Sequence, residues 1–186
     1  MTDAGDKAAD PASGRWIVLV GLMGAGKSAV GRLLSERTGR RHLDADSEIE
    51  AAAAATIAEI FERDGEAFFR RRESEVVRRI LSGPPGILST GGGAWLTESV
   101  RETVGRRGVS VWLRADLDTL WSRVRGRSHR PLLRSDDPRA VLGDLLEKRY
   151  PTYALADVIV DSLPGRDVSA TAASVMAALE EHGVRA

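Results

Sequence analysis

The chain has 186 residues, of which 42% are hydrophobic and 29% charged, with a formal net charge of zero and no cysteine. This length suits one globular domain with its own core, and the balanced charge argues against a broad electrostatic surface for nucleic acid or for an anionic membrane. Without cysteine, disulfides and thiolate metal sites are excluded. No apolar run reaches membrane-spanning length, and residues 1–14 lack the apolar segment of a signal peptide, so we expect a disordered tail there and a cytoplasmic protein.

The first predicted element is a short buried strand, Arg15–Val20, followed by a glycine-rich loop and a helix at about Lys27–Thr38. The loop, Gly21–Ser28, has the sequence GLMGAGKS, which in this strand–loop–helix context is typical of a phosphate-binding P-loop. Its backbone N–H groups and the helix N-terminus point at an anion, the lysine reaches the terminal phosphates, and the serine hydroxyl joins the shell of Mg²⁺. We therefore predict that the chain binds a nucleoside triphosphate. The residues expected at the nucleotide are Gly24, Ala25, Gly26, Lys27, Ser28 and Ala29.

The second predicted strand, Arg41–Asp46, ends in two acids, Asp44 and Asp46. Alternation along a strand puts both side chains on the same side, next to the glycine loop. One of them can hold Mg²⁺ through water while the other faces a second substrate. Acids at strand ends are also common helix caps, and Asp46 or Ser47 suits that role before a helical stretch at Ser47–Ala55.

The next helix begins at Thr56, where Thr56-Ile57-Ala58-Glu59 has the form of a capping box. Gly65 interrupts the pattern, and a strongly charged helix then runs to about Leu81. Arginines on such a helix are usually only solvated, and pattern alone does not distinguish Arg70, Arg71, Arg72, Arg78 and Arg79.

A third strand, Ile87–Thr90, runs into three consecutive glycines, Gly91–Gly93. A loop between a strand and a helix needs one glycine and seldom three, because each carries an entropic cost. Such a run is tolerated where the backbone comes close to another group, so we expect a close approach here.

The remaining elements follow the same alternation of helix and strand. We predict helices at about Thr97–Arg106, from the cap Asp116 to Val124, at Ala140–Arg149 and at Val168–Glu181, and strands at Val109–Leu113 and Val158–Val160. Residues 125–137 are polar and rich in arginine. They form either a solvated basic loop or a lid whose arginine closes over the transferring phosphate.

Five strands that alternate with helices predict βαβ crossovers and a parallel sheet covered on both faces. Ligands of such sheets bind at the carboxyl ends of the strands. The first three strand ends carry the glycine loop, the two acids and the triple glycine, so we expect one site at this edge.

Together these motifs closely resemble the shikimate kinases, small P-loop enzymes of aromatic amino-acid biosynthesis. The resemblance covers about residues 15–180 and depends on the ordered motifs GLMGAGKS, LDAD, DGEAFFR, STGGGAW, RPLL and KRYPTY. It implies an α/β, single-domain P-loop kinase fold at residues 15–182, with a mobile lid at about 123–139. It also implies a monomer that transfers the γ-phosphate of ATP to the 3-hydroxyl of shikimate, with Mg²⁺ as cofactor.

On the acceptor side, the resemblance implies that Asp46 hydrogen-bonds the shikimate hydroxyls as the base or orienting group. Arg70 and Arg149 match the arginines that bind the shikimate carboxylate, and a guanidinium fork suits that anion. Gly91, Gly92 and Gly93 approach shikimate through the backbone, and Asp44 belongs to the Mg²⁺ environment with Ser28.

On the donor side, Arg130 is the arginine of RPLL and matches the lid residue that reaches the phosphates. Arg123 and Arg166 match positions near adenine. The expected catalytic set is Lys27, Asp46 and Arg130.

Two alternatives stay open at this point. One is another small-molecule kinase of similar architecture, such as a gluconate kinase or a nucleoside monophosphate kinase. The other is an ATP-binding module without enzymatic activity. A GTPase switch is excluded because the chain contains no asparagine and so lacks the Asn-Lys-x-Asp guanine motif.

Overall fold

A parallel β-sheet forms the centre of the computed structural model, which describes residues 14–126 and 135–184. Its strands are β1 (Trp16–Val20), β2 (His42–Asp44), β3 (Ile87–Ser89), β4 (Gly108–Arg114) and β5 (Val158–Asp161). They are ordered β2-β3-β1-β4-β5, and every pairing is parallel. The predicted five-stranded parallel sheet is therefore confirmed. Most of the predicted tail and the central part of the predicted lid, including Arg130, lie outside the described residues.

Helices connect the strands within the described ranges. They are α1 (Lys27–Thr38), α2 (Ala45–Ala53), α3 (Ile57–Leu81), α4 (Glu98–Arg107), α5 (Leu117–Val124), α6 (Pro138–Tyr153) and α7 (Val168–Glu181), with a 3₁₀ turn at Ala94–Leu96. Helix α1 packs against α7, and α3 packs against α4. Crossovers between parallel strands are right-handed. The chain moves along the sheet in one direction from β1 to β2 and in the other direction from β3 to β4. Helices α1 and α4 therefore lie on opposite faces of the sheet. None of the described helices is both long and apolar enough to cross a membrane.

Strand β1 lies in the middle of the sheet, and all five of its residues are buried. This matches its sequence, an apolar run without the alternation of a half-exposed strand. Its neighbours are aligned so that Leu19 of β1 and Asp44 of β2 both lie opposite Ser89 of β3. The chain segments after these three strands therefore leave the sheet at the same edge.

The prediction that β2 runs to Asp46 is wrong, because the strand ends at Asp44 and helix α2 begins at Ala45. The Asp44 carboxylate caps this helix by accepting the N–H of Asp46 at 3.1 Å. Asp46 thus lies in the first helical turn, and strand alternation is not what brings the two acids together. The cap is Asp44 rather than Asp46 or Ser47.

Helix α3 has its predicted bounds, with the capping box at Thr56 and Glu59 confirmed and Leu81 as the last residue, whereas α6 does not. Gly65 adopts φ 80° and ψ 168°, which produces the expected interruption as a kink within α3. Helix α6 starts at Pro138 with Asp137 as its cap and continues through Pro151 to Tyr153, instead of ending near Arg149. A proline removes one helical N–H donor and its ring crowds the carbonyl four residues earlier, and α6 continues for only two residues beyond it.

Two glycines in helices provide a matched test of this packing. A Cβ on buried Gly31 of α1 would lie 2.4 Å from His42 Nε2 and 2.8 Å from Ser89 Oγ, whereas a Cβ on exposed Gly105 of α4 would meet nothing within 4 Å. His42 and Ser89 are held by a mutual hydrogen bond of 2.9 Å, so the ring does not move aside without breaking it.

We expect Gly31→Ala to destabilise the protein by about 1–3 kcal/mol through overpacking. We expect Gly105→Ala to stabilise it by about 0.5–1 kcal/mol, because alanine favours a helix over glycine. Urea unfolding of both variants measures these changes. Equal changes of the same sign would contradict the packing described around α1.

Candidate active site

The glycine loop after β1 has the backbone geometry that a phosphate cradle requires. Gly24 and Gly26 have φ of 83° and 99°, and Gly26 lies directly before the first residue of α1. Both values belong to the left-handed region that glycine adopts readily. Lys27 Nζ donates hydrogen bonds of 2.7 Å and 3.0 Å to the carbonyls of Gly21 and Leu22. The ammonium is therefore held within the loop at the N-terminus of α1, where anions bind.

A cavity of about 480 Å³ opens at this loop, at the carboxyl ends of the strands. It brings together many of the predicted site residues: Gly24, Ala25, Gly26, Lys27, Ser28, Ala29, Asp44, Asp46, Gly92, Arg123 and Arg166. Four other predicted residues do not line the cavity and form an adjoining cluster, which we call the acceptor cluster: Arg70, Gly91, Gly93 and Arg149. Arg130 lies outside the described residues.

The predicted metal residues, Ser28 and Asp44, are in direct contact. Ser28 Oγ donates to Asp44 Oδ2 at 2.5 Å, so two oxygen ligands lie together beside the phosphate loop. This pair fits Mg²⁺, which takes one or two protein ligands and completes its shell with phosphates and waters. Within residues 14–126 and 135–184, no group of three or more His, Asp or Glu side chains is arranged to hold a metal.

Arg123 is fixed at the side of the cavity by three carbonyl or hydroxyl groups. Its guanidinium donates to Ser162 Oγ at 2.8 Å, to the Gly24 carbonyl at 3.2 Å and to the Leu163 carbonyl at 3.3 Å. Burial lowers its pKa, but an arginine stays charged. These bonds connect the glycine loop to the segment after β5, which also carries Arg166.

The acceptor cluster is built around a buried ion pair on α3. Arg70 contacts Glu73 at 2.8 Å and the more exposed Glu66 at 3.0 Å, and only 1% of the Glu73 side chain is exposed. The Arg70 guanidinium also lies 5.2 Å from the Phe69 ring centre and 5.9 Å from that of Phe61. The sequence pattern does not distinguish five arginines on this helix, and the structure places one of them, Arg70, against Gly93 of the triple glycine.

Sequence reasoning missed Glu73. Burial raises its pKa, and the charge of Asp46 raises it further, while Arg70 and Arg149 lower it without cancelling the effect. Its Oε1 is a buried atom without a hydrogen-bond partner among the described residues. The only signal in the sequence is its spacing of three residues from Arg70, which does not stand out on a helix so rich in charged pairs.

Two glycines of the triple glycine, Gly91 and Gly93, are explained by the protein's own side chains. A Cβ on Gly91 would lie 2.4 Å from Glu73 Oε1 and 2.6 Å from Asp46 Oδ1, and one on Gly93 would lie 2.1 Å from Arg70 Nη1. The expected close approach is present, and it is made by the acceptor cluster. Any side chain at Gly91 or Gly93 would displace these charged groups.

Arg149 of α6 also contacts the triple glycine. It is 7% exposed, and its Nη1 donates to the Gly92 carbonyl at 3.0 Å. Two guanidinium groups and two carboxylates therefore surround the triple glycine, next to the phosphate loop.

The comparison with protein families shows which family this chain belongs to. The family described as shikimate kinase matches residues 23–180. The chain belongs to the shikimate kinase family. A shikimate kinase from Ruegeria pomeroyi is 56% identical over 163 residues, which cover 88% of this chain and 84% of that relative.

Solved structures agree with the family and with its fold. A shikimate kinase from Acinetobacter baumannii, solved in complex with shikimate, has a TM-score of 0.87 and 37% identity, and the match covers 92% of this chain and 96% of that one. A gluconokinase from Sinorhizobium meliloti has a TM-score of 0.59 at 20% identity, with 90% of this chain and 93% of that one covered. This second likeness shows the fold alone.

The buried Glu73 carboxyl predicts a specific pH dependence of stability. Because its folded-state pKa is raised above the ordinary value of 4.5, the native state holds this proton more tightly than the unfolded state does. Stability from this group is therefore present below pH 4.5 and lost as the pH rises through the folded-state pKa.

The measurement is urea unfolding of the wild type and of Glu73→Gln from pH 4 to pH 8. We expect the stability of the wild type relative to Glu73→Gln to fall as the pH rises above 4.5. Glu75→Gln, which changes an exposed carboxylate on the same helix, should not show this trend. A difference between wild type and Glu73→Gln that rises with pH would contradict the assignment.

Proposed function

We propose that this chain transfers the γ-phosphoryl group of ATP to the 3-hydroxyl of shikimate. The observation that carries the proposal is that the cavity at the phosphate loop meets the acceptor cluster at Asp46 and Gly92. Both residues line the nucleotide cavity, Asp46 lies against Gly91, and Gly92 binds Arg149. A substrate in the acceptor cluster would therefore present a hydroxyl to the phosphate loop.

The charges of the acceptor cluster support a carboxylated polyol as the acceptor. Arg70 and Arg149 offer guanidinium groups for one carboxylate, and Asp46 offers an oxygen that accepts hydrogen bonds from hydroxyl groups. Shikimate carries one carboxylate and three hydroxyls. A nucleotide acceptor, with its phosphate and base, suits this small and partly acidic cluster less well.

The catalytic contribution of the protein is mainly alignment and charge compensation. Lys27 balances the charge that develops on the transferring phosphoryl group, and Asp46 orients the attacking hydroxyl and accepts its proton. Ser28 and Asp44 would hold Mg²⁺ beside the nucleotide, where the ion would neutralise phosphate charge. The part of Arg130 at the phosphates stays a prediction from the sequence resemblance.

We further propose that the enzyme acts as a monomer in the cytoplasm. One chain supplies the phosphate loop and the acceptor cluster from its own helices and loops, so no second copy is needed to complete the site. ATP, the proposed donor, is abundant in that compartment.

The direct test is ADP release in the presence of ATP and Mg²⁺, with shikimate, gluconate or CMP as the acceptor. We expect turnover with shikimate and only background hydrolysis with the other two. Preferred turnover of gluconate would favour the alternative kinase, and no acceptor-dependent release would favour a non-enzymatic ATP-binding module.

Removing the charge of Asp46 tests its role at the hydroxyl. We expect Asp46→Asn to lower kcat by a factor of about 10²–10⁴, the usual contribution of a positioned base, while ATP binding survives. Coupled ADP release and equilibrium titration with ATP measure the two effects. Asp144→Asn, an exposed position on α6, is the control and should behave as wild type. Near-normal turnover of Asp46→Asn would refute this role.

Asp44→Asn separates the metal role of Asp44 from its capping role. Asparagine caps helices as well as aspartate does, so α2 should persist and thermal stability should change little. Loss of the charged ligand should raise the Mg²⁺ concentration for half-maximal activity by about tenfold or more, since each tenfold is 1.4 kcal/mol of lost binding. An unchanged Mg²⁺ dependence would show that Asp44 does not serve the metal.

A further inference from the structure

Two buried polar side chains of α6 meet the triple glycine together. Arg149 and Tyr153 are separated by one helical turn and therefore lie on the same face of α6. Arg149 is 7% exposed and Tyr153 is fully buried. A buried tyrosine hydroxyl needs a partner, and the partner of this one lies in the site.

The carbonyl of Gly92 accepts hydrogen bonds from both side chains. Arg149 Nη1 donates to it at 3.0 Å, and the Tyr153 hydroxyl donates to the same oxygen. Burial raises the pKa of the Tyr153 phenol more than the charge of the nearby Arg149 guanidinium lowers it. The phenol therefore stays protonated and keeps its donor. One carbonyl oxygen thus joins the two side chains of α6 to the triple glycine.

The Tyr153 ring is itself held in place. It stacks on Trp112 of β4 with ring centres 5.9 Å apart and lies edge-on to Tyr150 at 6.2 Å. A further bond of 3.0 Å joins Trp95 Nε1, just after the triple glycine, to the Thr152 carbonyl. The end of α6 is thus bonded at two neighbouring points to the triple glycine and the turn that follows it.

We propose that Tyr153 is a positioning residue for the acceptor carboxylate, which it serves by holding Arg149 and Gly92 in register. This inference rests on the proposed function. The Tyr153 hydroxyl holds the Gly92 carbonyl in the position where it also accepts Arg149 Nη1, so that the other N–H groups of the guanidinium face the carboxylate. Tyr153 does not line the nucleotide cavity, and it acts through Arg149.

A purely structural role makes a different prediction from a positioning role. If Tyr153 only stabilised the fold, its loss would lower the activity toward every acceptor in the same proportion. If it orients Arg149, its loss affects an acceptor with a carboxylate and spares the same acceptor without one. Shikimate and its uncharged carboxamide form such a pair.

Tyr153→Phe removes only the hydroxyl. We expect the KM for shikimate to rise by about five- to tenfold, as for the loss of one hydrogen bond between neutral groups, with kcat and the KM for ATP unchanged. The ratio of kcat/KM for shikimate to that for the carboxamide should fall by the same factor. Because this ratio is taken within one protein, the folded fraction cancels.

Tyr150→Phe is the matched control. Its hydroxyl donates to the Ala115 carbonyl, away from the acceptor cluster, so the KM for shikimate and the acid-to-amide ratio should equal those of wild type. An unchanged ratio in Tyr153→Phe, or an equal change in Tyr150→Phe, would overturn the positioning role. Absence of turnover in the wild type would instead overturn the proposed function and this inference with it.

A second measurement does not require Tyr153→Phe to fold. The sequence holds only two tyrosines, so protein labelled with ¹³Cζ-tyrosine gives two signals, which Tyr150→Phe assigns. Saturation with shikimate should shift the signal of Tyr153, whose hydroxyl binds the same carbonyl as Arg149, and leave the Tyr150 signal in place. A Tyr153 signal that does not respond would refute the inference.

Discussion

The parallel alignment of β2, β3 and β1 is the constraint on which the site depends. Leu19 and Asp44 both lie opposite Ser89, so the three chain segments that follow leave the sheet at one level. The phosphate loop, the two acids and the triple glycine are far apart in sequence, and this register makes them neighbours. A shift of one residue in any of the three strands would also turn its side chains to the other face.

The site also depends on how buried charge is balanced at that edge. Burying the Glu73 carboxylate costs solvation, and the pair with Arg70 compensates only in part, as the raised pKa of Glu73 shows. Near this pair, Arg149 adds a positive charge and Asp46 adds a negative charge. The two guanidinium groups offer donors that suit a carboxylate, and Asp46 offers oxygens that suit hydroxyl groups, which agrees with the family of the chain.

Much of this arrangement could be predicted from the sequence, because it follows from local patterns. The glycine loop, the capping box at Thr56 and the alternation of strands and helices each specify structure within a few residues. The position of Asp46 was predicted for the wrong reason, since a cap by Asp44 ends the strand earlier than the apolar pattern implies. Arg70 was separated from its neighbours only by the family motif. Glu73 was not found, because its spacing from Arg70 is ordinary on a helix rich in charged pairs, and Tyr153 was not found, because its partner Gly92 lies on another element.

In the proposed complex, one acceptor lies between Arg70, Arg149 and Asp46 while its hydroxyl faces the nucleotide. A crystal structure with ADP, Mg²⁺ and shikimate would show whether this is so. We expect the shikimate carboxylate between the guanidinium groups of Arg70 and Arg149, and the 3-hydroxyl within hydrogen-bonding distance of Asp46, on the side of Lys27. A carboxylate bound elsewhere, or a 3-hydroxyl turned away from the nucleotide, would contradict it.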